Sequence, residues 1–411
     1  MVENATMIFE KNMNFDESVS YLYALGNEVL AMKLGLENIG KVLAAIGNPH
    51  NNFLKVQVAG TNGKGSTCAF LDAICRSANI KTGLYTSPHL VSITERIKIN
   101  GNQISEKDFA RHATHICEVS ENLVESGALE AVPTYFEQVT AIAISAFAQA
   151  NIELGILETG LGGRFDAVTA VNAEIVAITP IDYDHQQILG NTLTEIAGEK
   201  AAIINSKNQK VVVSKQYSEA EKVILKRCQE FGVEPLRTDF ELPMVELSLR
   251  GNHQRENAKV AVRLAEILKL DKQDIINGLQ SATHNGRLEF SNEILFDGAH
   301  NISGAKALRD YLNEFSSQPI TLIFGAMRDK DLTEIAEILF PMADKLILTK
   351  PDNPRSALPE YLAKFSTHKV YLTESVSEAL TLAKKFPQNL TCVTGSLYLV
   401  GEAQKILSEN V

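Results

Sequence analysis

Short runs of β-branched and other apolar residues alternate along the chain with longer stretches whose apolar residues recur at helical spacing. Most of the short runs do not alternate polar with apolar residues, which is typical of strands buried on both faces of a parallel sheet. The predicted strands include Val56–Ala59, Leu154–Leu157, Ile175–Ile178, Val211–Val213, Ile294–Phe296, Ile320–Phe324, Leu346–Leu348, Val370–Leu372 and a last strand directly before Thr394-Gly-Ser396. The pattern therefore predicts the α/β class with mostly parallel sheets.

Three intervening stretches predict helices, namely Ser66–Ser77, Thr192–Ile204 and Asn252–Leu268. The second begins with Thr192-Leu-Thr-Glu195, which predicts a capping box at its first turn. Helix-rich sequence ends near Arg287, and a new series of strands and helices starts at Ile294. We therefore expect two α/β domains, residues 1–287 and 288–411, with ligand sites at the carboxyl ends of their strands.

The composition excludes several classes of protein. The chain has 411 residues with 39 basic and 50 acidic side chains, a net charge of −11 and no strongly basic block, so neither nucleic acid nor a membrane is an expected partner. Its five cysteines are widely spaced without a C-x-x-C pair, which favours free thiols over disulfides or structural zinc. The weakly polar run 139–150 is too short to cross a bilayer, and the N-terminus lacks the pattern of a secretion signal. We expect a soluble, cytoplasmic protein.

The most informative segment runs from Val56 to Thr67, where a predicted strand leads into a glycine-rich turn, a lysine, two hydroxyl residues and a helix. Glycines let backbone N–H groups approach phosphate oxygens, and a helix N-terminus favours negative charge. Lys64 is placed to reach the outer phosphates of a nucleotide, and a hydroxyl after it can ligate Mg²⁺. The spacing departs from the strict phosphate-loop pattern because Gly65 separates Lys64 from Ser66. The order of these parts nevertheless predicts nucleotide binding.

Polar residues also follow other predicted strands. Glu158, just before several glycines, can face a bound metal ion. His185 follows two aspartates at another strand end, and both a ligand role and a structural role are open for it. Ser87 precedes a proline in a loop that either caps a turn or covers the nucleotide. Lys200 lies at the edge of an apolar helix face, and the residues alone indicate a surface lysine.

The C-terminal part contains four further candidates. Arg287 lies at the predicted domain boundary, where an arginine can act as a mobile clamp on a γ-phosphate. Asp297 and His300 follow a predicted strand, and Ser396 follows the last strand. These side chains can contact adenosine or a second substrate, and the residues alone do not decide between this role and a structural one.

These motifs together resemble the folylpolyglutamate synthase family, which includes bifunctional bacterial dihydrofolate synthases. The resemblance covers about residues 35–400 and rests on Gly60-Thr-Asn-Gly-Lys-Gly-Ser66, Ser87-Pro-His89, Thr134-Tyr-Phe-Glu137, Glu158-x-Gly-Leu-Gly-Gly-Arg164, Asp184-His185, Glu199-Lys-Ala201, Gly286-Arg-Leu-Glu289 and Asp297-Gly-Ala-His-Asn301. It implies a Mur-ligase-like fold, with a P-loop ATPase domain and a smaller Rossmann-like C-terminal domain. It also implies that ATP phosphorylates a carboxylate and that the amine of L-glutamate attacks the resulting acyl phosphate.

The resemblance implies a role for individual positions of this sequence. The residues expected to bind ATP are Gly60, Thr61, Asn62, Gly63, Lys64, Gly65, Ser66, Asn257, Arg287 and Asp297. The expected Mg²⁺ ligands are Ser87, Glu158, His185 and Lys200, the last as a carbamylated lysine, with two Mg²⁺ sites and K⁺ as a further candidate ion. The expected catalytic residues are Lys64, Lys200, Arg287 and His300. His300 and Ser396 are expected to contact glutamate.

Substrate choice depends on a further group, Thr134, Phe136 and Asp166, which matches the pterin site of dihydrofolate synthases. An aromatic ring can stack on a pterin, and a carboxylate can accept from its N–H edge. The expected substrates are therefore ATP, L-glutamate, dihydropteroate and reduced folates, used by a bifunctional and monomeric enzyme. A folylpolyglutamate synthase without the first activity, another Mur-type ligase, a kinase and a non-catalytic nucleotide-binding protein are the alternatives. The sequence departs from the family pattern at two places. Position 202 is Ala202, where the family often has glycine, and residues 1–30 do not align with the family.

Overall fold

The computed structural model describes residues 12–26, 35–208, 210–242, 244–367 and 369–409. These residues form two mostly parallel sheets, one of eight strands and one of six. Part of the unaligned segment 1–30 lies outside the described residues, but residues 15–24 form a helix that packs against two later helices. The predicted α/β class is confirmed.

The first sheet has the strand order β4-β3-β2-β5-β1-β6-β7-β8. Its strands are β1 Leu54–Ala59, β2 Thr82–Tyr85, β3 Ile97–Ile99, β4 Asn102–Gln103, β5 Leu154–Glu158, β6 Ile175–Ile178, β7 Lys210–Val213 and β8 Pro235–Arg237. Strands β2, β5, β1, β6, β7 and β8 pair in parallel, whereas β3 and β4 form an antiparallel edge. The carboxyl ends of β5, β1 and β6 therefore lie side by side at one edge.

The second sheet has the strand order β13-β12-β11-β14-β10-β9. Its strands are β9 Glu289–Ser291, β10 Ile294–Phe296, β11 Ile320–Phe324, β12 Lys345–Leu348, β13 Val370–Leu372 and β14 Leu390–Thr394. Only β9 is antiparallel to its neighbour. The predicted domain boundary after residue 287 falls just before β9, and the division into domains 1–287 and 288–411 stays a prediction.

Helices connect the strands and cover both faces of each sheet. Their bounds are α1 Phe15–Ala24, α2 Glu37–Ala45, α3 Lys64–Ser77, α4 Glu106–Glu125, α5 Tyr135–Gln149, α6 Gln186–Leu189, α7 Leu193–Ala201, α8 Ser218–Glu230, α9 His253–Ile267, α10 Lys272–Ser281, α11 Ile302–Phe315, α12 Leu332–Leu339, α13 Pro359–Ala363, α14 Val376–Ala383 and α15 Leu397–Glu409. Short 3₁₀ turns span Pro49–Asn52, Ile93–Arg96, Ala167–Val171 and Phe340–Met342.

Successive residues of a single strand pack into different cores, as β6 illustrates. Ile175 and Ala177 belong to the core formed with α3, α9 and α10, whereas Val176 and Ile178 belong to the core formed with α7 and α8. In the second sheet, Leu322 and Ile323 divide in the same way between the core with α11 and α12 and the core with α14 and α15. Burial on both faces explains why these strands read as continuous apolar runs.

The helix predicted over Thr192–Ile204 is shorter than expected. Its capping box is present, with Thr192 and Glu195 exchanging hydrogen bonds, but the helix ends at Ala201. Ile203 and Ile204 lie beyond the helix end and are buried in the same core as α7, so the apolar pattern continues after the helix has stopped. In the part of the chain that the structure describes, no helix is both long and apolar enough to cross a bilayer.

Candidate active site

The glycine-rich turn joins the end of β1 to the start of α3. Gly60 has φ 145° and Gly63 has φ 85°, both in the region that favours glycine. A Cβ atom on Gly63 would lie 2.0 Å from Oδ1 of Asn257, so the turn and α9 are in close contact. The Lys64 ammonium donates to the carbonyl oxygens of Gly60 at 3.2 Å and Thr61 at 3.1 Å. The turn thus brings together the Lys64 ammonium and the backbone N–H groups of the first turn of α3.

A cavity beside this turn lies between the two sheets and collects most of the predicted nucleotide and metal residues. Its lining includes Thr61, Asn62, Gly63, Lys64, Gly65, Ser66, Ser87, Glu158, His185, Lys200, Asn257, Arg287, Asp297 and His300. Gly60 does not line it, but its carbonyl oxygen accepts a hydrogen bond from the Lys200 ammonium at 2.8 Å. We call this space the phosphate cavity.

Glu158 is the last residue of β5, and its side chain is buried at the edge of the phosphate cavity. Its Oε2 accepts a hydrogen bond from the backbone N–H of Ser87 at 3.0 Å. Burial raises the pKa of Glu158, and the charges of Lys64 and Arg287 together with the Ser87 N–H oppose that rise. A carboxylate at this edge can ligate a divalent ion that is also bound by phosphate oxygens, whose negative charge offsets the two cations.

Lys200 is 4% exposed, so the interpretation of this residue as a surface lysine is wrong. The last turn of α7 lies over the glycine-rich turn, and this places the ammonium against Gly60. Burial, followed by the charge of Lys64, lowers the pKa of Lys200 to about 7. An amine with this pKa is partly neutral near pH 7, and only a neutral amine reacts with CO₂ to form a carbamate. The carbamate itself stays a prediction.

His185 and Asp184 lie in the segment after β6, where His185 has a positive φ of 49°. The Lys330 ammonium donates to Oδ1 of Asp184 at 2.7 Å, and both side chains are 10% exposed. Burial alone would raise the pKa of Asp184, but Lys330 and His185 hold it below its ordinary value. This ion pair joins the edge of the first sheet to a loop of the second, directly beside His185.

The predicted metal ligands fit a Mg²⁺ ion that is shared with a nucleotide. Within the described ranges, no three His, Cys, Asp or Glu side chains are grouped as a complete metal site. One carboxylate, one hydroxyl and one imidazole, from Glu158, Ser87 and His185, instead line the phosphate cavity. Mg²⁺ commonly takes one or two protein carboxylates and completes its shell with phosphate oxygens and water.

A second cavity opens from the first and contains the residues predicted for the pterin and for glutamate. Its lining includes Thr134, Phe136, Phe165, Asp166, His300, Lys330, Arg355, Ser396 and Tyr398. The two spaces meet, because seven residues line both cavities: Ser87, Pro88, Gly160, Leu161, His185, His300 and Leu397. Ser87, His185 and His300 are the ones among them with polar side chains. We call the second space the aromatic cavity.

Two of the three predicted pterin residues also have structural partners. Thr134 caps α5 and exchanges hydrogen bonds with Glu137. Asp166 accepts from the backbone N–H groups of Leu161 at 2.9 Å and Val168 at 3.0 Å, and burial raises its pKa to about 6. A carboxylate has about four acceptor positions, so Asp166 keeps some for a ligand.

The Phe136 ring lies against the glycine-rich segment that follows β5. A Cβ atom on Gly160 would lie 2.5 Å from Cζ of Phe136, and the Tyr85 ring centroid is 6.1 Å away. The ring therefore has one side fixed by Gly160 and lines the aromatic cavity with the rest of its surface. Such a ring can stack on a planar heterocycle.

The second sheet contributes the remaining predicted residues from the ends of β10 and β14. Asp297 accepts from the backbone N–H groups of Leu288 and Ala299, each at 3.0 Å. Nδ1–H of His300 donates to the Gly298 carbonyl oxygen at 2.7 Å, and burial together with Lys330 lowers the pKa of His300 to about 4. The Ser396 hydroxyl accepts from the Leu399 N–H at 3.1 Å at the start of α15. Nε2 of the neutral His300 is thus an acceptor at the junction of the two cavities.

Several residues of the phosphate cavity have no counterpart among the predicted site residues. The Ser66 hydroxyl contacts Nδ1 of His284 at 3.1 Å and Nε2 of Gln254 at 3.2 Å. Nδ2 of Asn301 donates to Oδ1 of Asn62 at 2.9 Å, which joins the glycine-rich turn to the second sheet. No local pattern indicates these contacts, because each joins segments more than 180 residues apart.

The fold is that of a Mur-type ligase. The Mur ligase middle domain matches residues 58–241, and the Mur ligase glutamate ligase domain matches residues 286–397. A dihydrofolate synthase/folylpolyglutamate synthase of Bacillus subtilis is 31% identical over 420 residues, which cover 93% of this chain and 97% of that protein. The chain belongs to the dihydrofolate synthase/folylpolyglutamate synthase family.

Two further relatives extend this comparison. A Haloferax volcanii protein described as a probable bifunctional folylpolyglutamate synthase/dihydropteroate synthase is 33% identical over 430 residues, covering 95% of this chain. The chain spans about half of that relative, since the match covers 50% of its length. The solved structure of Escherichia coli FolC in complex with DHPP and ADP has a TM-score of 0.84 and 29% identity, with 97% of this chain and 98% of that chain covered.

Proposed function

We propose that this chain is an ATP-dependent ligase that joins the amino group of L-glutamate to a pteroate or folate carboxylate through an acyl phosphate. The observation that carries the proposal is the junction of the two cavities at Ser87, His185 and His300. A carboxylate that extends from the aromatic cavity to this junction lies beside the phosphate cavity. The family membership of the chain supports the same reaction.

The first step is phosphoryl transfer. An oxygen of the carboxylate attacks the γ-phosphorus of ATP, the bond from the γ-phosphorus to the bridging oxygen of ADP breaks, and ADP leaves with the electron pair. The negative charges of the carboxylate and of the ATP phosphates come close together in this step. Lys64 and Arg287 supply fixed positive charge in the phosphate cavity to offset them. Mg²⁺, held by Glu158 with Ser87 and His185, would offset further phosphate charge when bound.

The second step forms the amide bond. The neutral glutamate amine attacks the acyl carbon, the bond from that carbon to the phosphate oxygen breaks, and the one proton that the nitrogen loses passes to the departing phosphate or to water. Nε2 of His300 is an acceptor at the cavity junction and is placed to hold the attacking amine. Glutamate also carries two carboxylates, and Lys330 and Arg355 line the aromatic cavity near His300 as cations for them.

We propose dihydropteroate as the first acceptor and reduced folates as later acceptors, which makes the enzyme bifunctional. Phe136, Phe165 and Tyr398 give the cavity aromatic surface for a pterin and a benzoyl ring, and Asp166 supplies a carboxylate near them. The alternative is a folylpolyglutamate synthase that does not use dihydropteroate. Both enzymes catalyse the same type of ligation, and they differ only in whether dihydropteroate is accepted as a substrate.

The ion and assembly assignments are part of the same proposal. We propose Mg²⁺ as the divalent ion, K⁺ as a candidate monovalent ion and a carbamate on Lys200 as an additional metal ligand. The low pKa and burial of Lys200 support the carbamate. We also propose a monomer with domains 1–287 and 288–411, because every predicted site residue except Gly60 lines one of two connected cavities of one chain.

Mass spectrometry of the products tests the proposed reaction. The enzyme is incubated with MgATP, L-glutamate and 7,8-dihydropteroate, and the expected product is dihydropteroate with one glutamate added. A reaction without glutamate and a Lys64→Ala reaction are the controls, and neither should give the product. A phosphorylated acceptor that accumulates without glutamate addition would indicate a kinase and contradict the proposal.

A further inference from the structure

His284 lies in the segment between α10 and Arg287, and its ring lies against the start of α3. A Cβ atom on Gly65 would be 2.7 Å from Cε1 and 2.9 Å from Nε2 of His284, so the ring occupies the space that any larger residue at position 65 would need. The ring lines the phosphate cavity together with Lys64 and Arg287. None of the roles derived above uses this side chain.

A chain of side-chain hydrogen bonds favours one of the two positions for the hydrogen on the neutral His284 ring. Nδ2 of Asn257 donates to Oε1 of Gln254 at 2.9 Å, and this leaves the Gln254 amide nitrogen to donate to Oγ of Ser66 at 3.2 Å. Oγ of Ser66 lies 3.1 Å from Nδ1 of His284, and with Gln254 donating to Oγ, Nδ1 is the acceptor that its two side-chain partners offer to the hydroxyl hydrogen. Because Nδ1 accepts, the neutral imidazole carries its hydrogen on Nε2.

The surroundings keep this imidazole neutral. Burial, and then the charges of Arg287 and Lys98, hold the pKa of His284 well below its ordinary value. Within the described residues, Nδ1 makes the one hydrogen bond of this ring, so Nε2–H has no protein acceptor. An N–H group without a protein acceptor, on a ring that lines a cavity with Lys64 and Arg287, is suited to an anionic ligand.

We infer that His284 is a nucleotide-binding residue, whose Nδ1 fixes the Ser66 hydroxyl and whose Nε2–H donates to a phosphate oxygen. The inference rests on the proposed binding of ATP in the phosphate cavity. It adds a donor from outside the glycine-rich turn, on the segment that leads to Arg287 and the second sheet. Phosphate binding would therefore add a second link between this segment and the turn, which are already joined by the contact of His284 with Ser66.

Two substitutions test the roles of the two ring nitrogens separately, and a third removes both. His284→Asn places an amide oxygen near the position of Nδ1, so it keeps an acceptor for Ser66 and loses the donor at Nε2. His284→Gln extends an amide nitrogen toward the position of Nε2, so it keeps a donor and loses the acceptor. His284→Phe keeps a ring of similar size and loses both groups.

The test is direct binding of ATP and of adenosine to the full chain by calorimetry, with thermal unfolding of each variant as a folding control. A hydrogen bond to a charged group predicts that His284→Asn and His284→Phe weaken ATP binding about tenfold or more. His284→Gln should stay within about threefold of the wild type. Adenosine, which has no phosphate, should bind all four proteins equally.

Two binding results would overturn the inference about His284, and a third would refute the proposed function instead. Wild-type ATP affinity in His284→Asn would overturn the inference, because that variant lacks the Nε2 donor. Equal weakening of ATP and adenosine would also overturn it, because His284 would then be structural. If His284→Phe fails to fold, the Asn and Gln variants decide the question. A wild-type protein that binds no ATP would refute the proposed function itself, which is a different failure.

Discussion

Replacement of Gly63 by alanine tests whether the geometry of the glycine-rich turn is needed for nucleotide binding. Gly63 has φ 85°, a conformation that costs an alanine about 1–2 kcal/mol. The new Cβ would lie 2.0 Å from Oδ1 of Asn257, whereas favourable contacts between heavy atoms begin near 3.5 Å, so the amide has to move by about 1.5 Å.

Displacement of Asn257 has a second consequence. Its Nδ2 donates to Gln254, which in turn donates to Ser66, so the movement removes a hydrogen bond worth about 1 kcal/mol and releases the Ser66 hydroxyl. The combined destabilisation is about 2–3 kcal/mol, which predicts a fall in melting temperature of about 3 °C for a chain of 411 residues. ATP affinity should fall at least about tenfold, because the backbone of the glycine-rich turn no longer holds its position.

The assay combines calorimetric ATP binding with thermal unfolding, and Gly198→Ala is the matched control. Gly198 lies inside α7, and a Cβ there meets nothing within 4 Å. This control should leave ATP binding unchanged and raise stability by about 0.5–1 kcal/mol. A Gly63→Ala protein with wild-type ATP affinity would refute the argument that the close approach of Gly63 and Asn257 shapes the site.

Four further substitutions test single roles in the two cavities. Lys64→Ala should abolish ATP-dependent ADP release, because it removes the cation that the turn holds. Glu158→Gln should raise the Mg²⁺ concentration for half-maximal turnover about tenfold or more, because a buried carboxylate charge is lost. Phe136→Ala should raise the KM for dihydropteroate about tenfold and leave the KM for ATP unchanged, because it removes a stacking surface. The pKa of Lys200 is lowered to about 7, so between pH 7 and its ordinary pKa the unfolded chain holds a proton that the folded chain lacks. Wild-type stability in metal-free, CO₂-free buffer should then rise by up to about 1.4 kcal/mol per pH unit from pH 7 to pH 9, and Lys200→Met should lack this rise.

Each of these predictions has an outcome that contradicts it. Measurable turnover by Lys64→Ala would remove Lys64 from the catalytic group. An unchanged Mg²⁺ requirement in Glu158→Gln would argue against this carboxylate as a metal ligand. If Phe136→Ala raised the KM for ATP and dihydropteroate alike, Phe136 would have a general structural role. Parallel pH dependence of stability in Lys200→Met and the wild type would show that the Lys200 pKa is not responsible.

All but one of the strands that the sequence pattern predicts are largely buried, and the reason is visible in the cores. The exception is β13, an edge strand whose Leu372 is exposed. Runs such as Ile320–Phe324 are fully buried and therefore uniformly apolar. The pattern missed β3, β4, β8 and β9, which are short and lie at or beside sheet edges, where exposed positions break the apolar run. It also missed β2, which contains a glycine with Phe147 packed against it.

A similar distinction applies to the candidate site, where local motifs could be predicted and contacts between distant segments could not. Residues inside compact motifs, such as Lys64 and Glu158, could be predicted because strand, turn and helix follow one another in the sequence. The burial of Lys200 could not, because it depends on packing of α7 over Gly60, which is 140 positions away. The contact of His284 with Ser66 spans 218 positions and has no local pattern at all.

The central claim is that this chain adds L-glutamate to a pteroate or folate carboxylate with ATP. The most direct test is ADP release with MgATP and L-glutamate, measured separately with 7,8-dihydropteroate and with tetrahydrofolate. The account predicts glutamate-dependent ADP release with both acceptors. Release with tetrahydrofolate alone would refute the bifunctional assignment, and no glutamate-dependent release with either acceptor would contradict the ligase itself.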